Sequence, residues 1–249
     1  MVRKPIHRMS AEGLTPQHDE LADEEIITII EGENVVVRIL ATPCDLEDLA
    51  IGHIACEDRG TIASVSVTEN VISIEGDVRS RPSGDILTAA CGACTEGDIV
   101  VPNSSVSNNI ILSTKPSELI GKMSDCQPIF KATGGVHASG LFSQNGKMYF
   151  VREDVGRHNS LDKVVGAAIK SGLNVKQCVL VLSGRMGWEL VAKAARIGIE
   201  VVISVGAIST AAANLGRSCG MTLIGFSKND DGIVIGSSSR LDPNIFANG

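Results

Sequence analysis

Cys178-Val179-Leu180-Val181-Leu182-Ser183-Gly184-Arg185-Met186-Gly187-Trp188-Glu189-Leu190-Val191-Ala192-Lys193-Ala194-Ala195-Arg196-Ile197-Gly198-Ile199-Glu200-Val201-Val202-Ile203-Ser204-Val205 is the stretch that decides the fold. Residues 178–182 are an unbroken apolar run of strand length, and 183–185 is a turn. Leu190, Val191, Ala194 and Ala195 then recur at helical spacing until Gly198 stops the helix. Residues 199–205 are apolar again and read as a second strand. Strand, helix and strand at these lengths predict a βαβ unit in a largely parallel sheet with helices on its faces.

The same rhythm extends both ways. Upstream, 148–152 reads as a strand, and Leu161, Val164, Val165, Ala168 and Ile169 as a helical stripe ending at Gly172. Downstream, Ser209-Thr210 caps a helix running toward Cys219, and strands follow at 221–226 and 232–235. The first half is irregular. Runs at 26–30 and 35–40 flank Glu31-Gly32-Glu33-Asn34 as a hairpin. Thr42-Pro43 opens a helix with Asp45 in its first turn and Leu46, Leu49, Ala50, His53 and Ile54 on one stripe. His53 reads there as a buried structural histidine. Strands at 63–68 and 71–74, and a helix opened by Pro116, complete a small α+β unit. The expected organisation is a flexible arm at 1–22, an α+β domain at 23–125 and an α/β domain at 126–249.

Composition narrows the class. The chain of 249 residues is 43% hydrophobic but 3% aromatic, so its core is aliphatic. A formal net charge of -7 argues against sequence-independent binding of nucleic acid. Seven scattered cysteines, an odd number, suit a reducing compartment better than a disulfide framework. The basic N-terminus lacks the apolar run of a signal peptide, and no run reaches membrane-span length. The expectation is a soluble cytoplasmic protein.

Two places carry chemistry. Ala90-Cys91-Gly92-Ala93-Cys94-Thr95 is a C-x-x-C pair amid glycine and acidic residues. Such a pair can share a metal, cycle as a disulfide or pass a sulfur atom. Glu96 and Asp98 beside it tend to raise a thiol pKa. The second place lies beyond the carboxyl ends of the parallel strands, where ligands of open α/β sheets bind. Residues 152–159, 183–185 and 206–210 lead into helix N-termini there, which suit phosphate. Arg152, Arg157, Lys163 and Arg185 add charge. Asp154 and Asp162 are expected to orient the arginines. Gly134-Gly135 permit close backbone approach, and His137 is open as a proton shuttle, a ligand or a hydrogen-bonded core group.

Together these residues resemble one family. Thr133-Gly134-Gly135-Val136-His137-Ala138 is followed by Arg152-Glu153-Asp154-Val155-Gly156-Arg157-His158-Asn159 and Leu161-Asp162-Lys163. Ser183-Gly184-Arg185, Glu189-Leu190 and Lys193-Ala194 come next in order. With Leu49-Ala50-Ile51-Gly52 and the C-x-x-C, they look like signatures of the FdhD/NarQ family from about Ile26 onward. The resemblance implies a formate dehydrogenase accessory sulfurtransferase. Its second domain is expected to be an α/β/α sandwich of cytidine deaminase type, in a homodimer. Sulfur is expected to pass as a persulfide from a cysteine desulfurase to the metal of a molybdenum (or tungsten) bis(molybdopterin guanine dinucleotide). That cargo, for which GDP is a mimic, then enters formate dehydrogenase. Carried over by position, Cys91 is the persulfide residue and Cys94 its partner. The cargo contacts are Phe226-Ser227-Lys228-Asn229-Asp230-Asp231, with Gly134, Gly135, His137, Arg157, His158, Asn159, Ser183, Gly184, Arg185 and Ser209. Thr95, Ile208 and Ser227-Lys228 depart from the family's usual glycine, proline and arginine-rich segment.

Two rival classes stand against this reading. A zinc deaminase needs H-x-E and P-C-x-x-C, but Ala138-Ser139 follow His137 and Ala90 precedes Cys91. A non-catalytic cofactor chaperone with a structural metal on Cys91 and Cys94, completed by Cys126 or another thiol, would lack a second C-x-x-C.

Overall fold

The computed structural model describes residues 1–79, 105–107, 109–229 and 231–246, and the backbone of 86–87. Cys91, Cys94, Thr95 and Asp230 lie outside the described residues. The first feature departs from expectation. Residues 1–22, read as a loose arm, run as a hairpin of β1 (Val2–Ser10) and β2 (Gly13–Leu21). No apolar face announced it. Its register instead sets Arg3 opposite Glu20 and Lys4 opposite Asp19, and Arg8 reaches Asp19 at 2.8 Å.

β3 (Glu25–Glu31) and β4 (Asn34–Ala41) form the expected hairpin. α1 (Leu46–Cys56), β5 (Gly60–Thr68), β6 (Val71–Val78) and the two-residue β7 (Ile86–Leu87) follow. The sheet order is β5-β6-β3-β4-β7, and Ile27, Ile29, Ile39, Ile72 and Ile74 pack on Leu49 and Ile54 of α1.

The second sheet is built from α2 (Pro116–Asp125), α3 (Pro128–Thr133), β8 (His137–Phe142), β9 (Met148–Asp154) and α4 (Arg157–Lys170). It continues through β10 (Val179–Leu182), α5 (Trp188–Arg196), β11 (Val201–Ser204), α6 (Thr210–Ser218), β12 (Thr222–Gly225) and β13 (Ile233–Gly236). Its order is β13-β12-β11-β10-β8-β9. Only β10, β11 and β12 are mutually parallel; β8 and β13 flank them antiparallel, so the sheet is mixed. Alternation along the parallel strands gives each face its own core. Leu180, Leu182, Val202 and Leu223 meet α4, α5 and α6, while Val179, Val181, Val201 and Ile203 meet α2. β8 shows no strand signal in the sequence. Its small residues hid it, and Gly140 is small because a Cβ would stand 2.7 Å from the Phe142 ring.

One contact ties α1 to α4. A Cβ on Gly52 would stand 1.7 Å from the carbonyl oxygen of Asp162, and one on Gly166 would stand 1.9 Å from that of Asp48. The two helices touch backbone to backbone there. Among the described residues no helix is long and apolar enough to cross a membrane.

Candidate functional site

The sheet brings the separate sequence segments to one edge. His137 opens β8 opposite Asp154, which closes β9, and Leu182 closes β10 opposite Ser139. Residues 154–159, 183–185, 205–209 and 226–229 therefore emerge side by side. Their loops are stitched together. Met186 N–H donates to Ala207 O at 2.9 Å and Ser209 N–H to Met186 O at 3.1 Å. Phe226 N–H reaches Gly206 O and Ser227 N–H reaches Ser204 O, both at 3.1 Å. Phe226 takes φ 55, a left-handed conformation costly for an aromatic residue, which holds its ring half-exposed.

Glycine is required at Gly184, where a Cβ would stand 3.0 Å from His137 Nδ1. Ser183 Oγ accepts from Ala138 N–H at 2.8 Å and lies 3.5 Å from the same His137 nitrogen. Ser209 caps α6, accepting from Ala212 N–H at 3.2 Å. A cleft of about 470 Å³ opens at this edge, lined by Gly134, Gly135, His137, Ser183 and Lys228, with Gln127 and Phe130. Phe130 belongs to α3, a helix whose six residues were too few to show a period, and Gln127 immediately precedes that helix. Ser227 and Asn229 line a second, more apolar hollow of about 250 Å³. Ser227 is buried there with its hydroxyl unpartnered.

The expected cation cluster divides in two. Lys163 is fully buried, 2.7 Å from Asp154 and 2.9 Å from Thr42 O. Arg152 pairs with Asp48 at 2.9 Å and Asp45 at 3.5 Å. Asp154 and Asp162 thus hold lysines, not the arginines expected. Arg157 and Arg185 form no ion pair among the described residues, and Arg157 Nε is buried without a partner. Burial, then the charges of Arg157 and Arg185, keep the pKa of His137 below its ordinary value. Burial and the two cations therefore favour the neutral imidazole.

Asn159 is engaged in holding the frame. Its amide donates to Leu40 O at 2.8 Å and to Asp154 Oδ1 at 2.9 Å. Asp154 Oδ1 also takes Gly156 N–H at 2.8 Å, and its Oδ2 takes Thr42 N–H at 3.0 Å. Thr42, which no motif singled out, so fastens the end of β4 to the site. His158 is buried with both ring nitrogens unpartnered, its pKa pushed down to about 4 by burial and then by Lys193 and Arg157. Behind it, Lys193 stands 2.7 Å from Asp162 and 2.9 Å from Glu57. His53 is buried as expected, its Nδ1 3.2 Å from Asp162 Oδ2. A carboxylate only accepts, so the proton sits on Nδ1.

Such an edge offers a donor-rich surface to an anionic ligand: backbone N–H groups, two unpaired guanidiniums and a neutral imidazole. Comparison with known proteins agrees with the sequence motifs that meet there. The chain is 30% identical over 237 residues to the sulfur carrier protein FdhD of Sulfolobus acidocaldarius, covering 90% of this chain and 92% of that one. It is 32% identical over 262 residues to the protein of the same name from Nocardia farcinica, covering 96% and 94%. The fold matches the crystal structure of a formate dehydrogenase accessory protein from Desulfotalea psychrophila with a TM-score of 0.78. That match has 21% identity and covers 97% of this chain and 99% of that one. The model of the FdhD/NarQ family matches residues 22–242, and the chain belongs to that family.

Proposed function

We propose that this chain is a persulfide relay. In this reading the Cys91 thiolate attacks the outer sulfur of a cysteine desulfurase persulfide, and the desulfurase thiolate leaves. Cys94 then attacks the inner sulfur of Cys91, and the outer sulfur departs as sulfide to the metal of a bound bis(molybdopterin guanine dinucleotide). The disulfide left behind is reopened by a thiol reductant. The loaded cargo goes on to formate dehydrogenase, and the chain works as a pair of copies in the cytoplasm. The supporting observation is the convergence of His137, Arg157, Ser183-Gly184-Arg185, Ser209 and Phe226-Ser227-Lys228-Asn229 on one sheet edge. Dinucleotide phosphates suit unpaired guanidiniums and helix N-termini.

The relay is tested by incubating the protein with a desulfurase and free cysteine, then weighing it by mass spectrometry. One added sulfur is expected on the wild type and on Cys94→Ala, and none on Cys91→Ala. Persulfide surviving in Cys91→Ala would reassign the acceptor. The pocket is tested separately by calorimetry with GDP. Arg157→Ala and Arg185→Ala should each weaken binding about tenfold, as expected for one lost charge-assisted hydrogen bond. Unchanged affinity in both would move the nucleotide elsewhere.

A further inference from the structure

The six-stranded sheet ends on β13, and among the described residues nothing pairs with that edge. Its outward N–H and C=O groups meet no partner among the described residues. Gly232-Ile233-Val234-Ile235-Gly236-Ser237-Ser238-Ser239 contains no charge and no proline, and its pairing with β12 has no bulge. Soluble proteins guard such an edge with lysine, proline, a bulge or a cover. The opposite edge, β9, carries Arg152, Glu153 and Asp154. β5, at an edge of the other sheet, is broken by a register shift between Ile62 and Ser64. β13 has no such guard and exposes Ile233 and Val234 at 44% and 43%. Beside it lies the apolar hollow, walled by Pro116, Ile224, Val234, Leu241 and Ile245, with Phe246 62% exposed at its rim.

We propose that a second copy of this chain docks here, β13 pairing antiparallel with its counterpart across a two-fold axis. Residues 232–239 offer backbone groups, aliphatic side chains and serine hydroxyls, with no charge to select a charged partner. A two-fold antiparallel pairing sets that segment against itself, uncharged against uncharged. An isologous contact needs a projection and a recess in one patch, and Phe246 and the hollow supply both. Four paired residues alone fall short of the roughly 1,200 Å² that a stable interface buries. Ile233, Phe226 and Phe246 are therefore covered with them. The inference rests on the reading that the chain works as a pair. It adds which face is shared, and that the partner closes the hollow that Ser227 and Asn229 line.

Light scattering after size exclusion tests it on the full chain. The wild type should weigh two chains. Val234→Lys, which opposes like charges across the axis at an exposed position, should weigh one with unchanged circular dichroism and melting. Hydrogen exchange on the wild type provides a reading independent of any variant. Amides of β13 should exchange about tenfold faster on dilution below the dissociation constant than in the dimer. A Val234→Lys dimer, or a wild-type dimer whose β13 amides ignore dilution, overturns the face and leaves the paired reading standing. A wild type that is monomeric at every concentration overturns both, while sulfur loading on Cys91 still reports on the relay by itself.

Discussion

Lys193→Met should lower the unfolding free energy at pH 7 by about 3–5 kcal/mol, the usual cost of stranding a buried charge. Methionine keeps the length and most of the apolar stem of lysine, so packing changes little. What changes is that Asp162 and Glu57, both held from α5 by the one ammonium, lose it together. Burial alone would raise both carboxyls. Lys193, with His53, reverses this and holds both below the ordinary carboxylate range. Groups depressed in this way contribute stability above about pH 4.5, lost only as pH falls through their folded values. In the variant only His53, with Arg196 at Glu57, still opposes burial, so both carboxyls shift upward from their wild-type values. The folded variant then binds more protons than the folded wild type, so its stability deficit narrows on acidification from pH 7 toward 4.5. Urea unfolding at several pH values measures this directly. A deficit that stays constant across that range would show that water, and not Lys193, solvates Asp162. The histidine signal of His158 gives a second reading: its pKa should climb from about 4 as one nearby cation disappears.

That network also shows what could be read from the chain and what could not. The βαβ rhythm was legible because β10 and β11 are buried on both faces and separated by a helix whose apolar period is clean. The motifs around His137, Arg157, Ser183 and Phe226 were legible as chemistry, and the sheet does bring them to one edge. Their partners were not legible. Asp154 takes Lys163 from nine residues on, within α4, and Thr42 from 112 residues away, and local spacing carries no trace of the second. Arg152 looked like a ligand-facing cation because it opens the segment 152–159 that leads into a helix N-terminus, yet Asp48 on α1 claims it. The hairpin of β1 and β2 is local, but its complementarity lies between charges across the strands and not in an apolar period along either. A small residue is equally ambiguous in sequence. Gly140 breaks the apolar pattern of a strand where the fold needed room for Phe142.

Gly52 and Gly166 turn that last ambiguity into a test of sign. Gly166 lies inside α4, and helix propensity alone says that alanine there stabilises by about 1 kcal/mol. Contact says the reverse. The new methyl would stand 1.9 Å from the carbonyl oxygen of Asp48, a backbone atom that no rotamer change can move. Gly166→Ala should therefore destabilise by at least the roughly 1–3 kcal/mol of ordinary overpacking, and Gly52→Ala, at 1.7 Å from Asp162 O, by no less. Gly121→Ala is the control: it lies on exposed α2 with nothing within 4 Å of the added carbon, and should gain stability. The double variant Gly52→Ala with Gly166→Ala should cost less than the sum, because the first methyl already parts the helices that the second would part. α4 begins at Arg157, so the displacement also reaches the site, and both single variants should bind GDP more weakly than their residual folded fraction explains. Additive losses, or a Gly166→Ala that follows propensity and stabilises, would mean that α1 and α4 do not meet backbone to backbone.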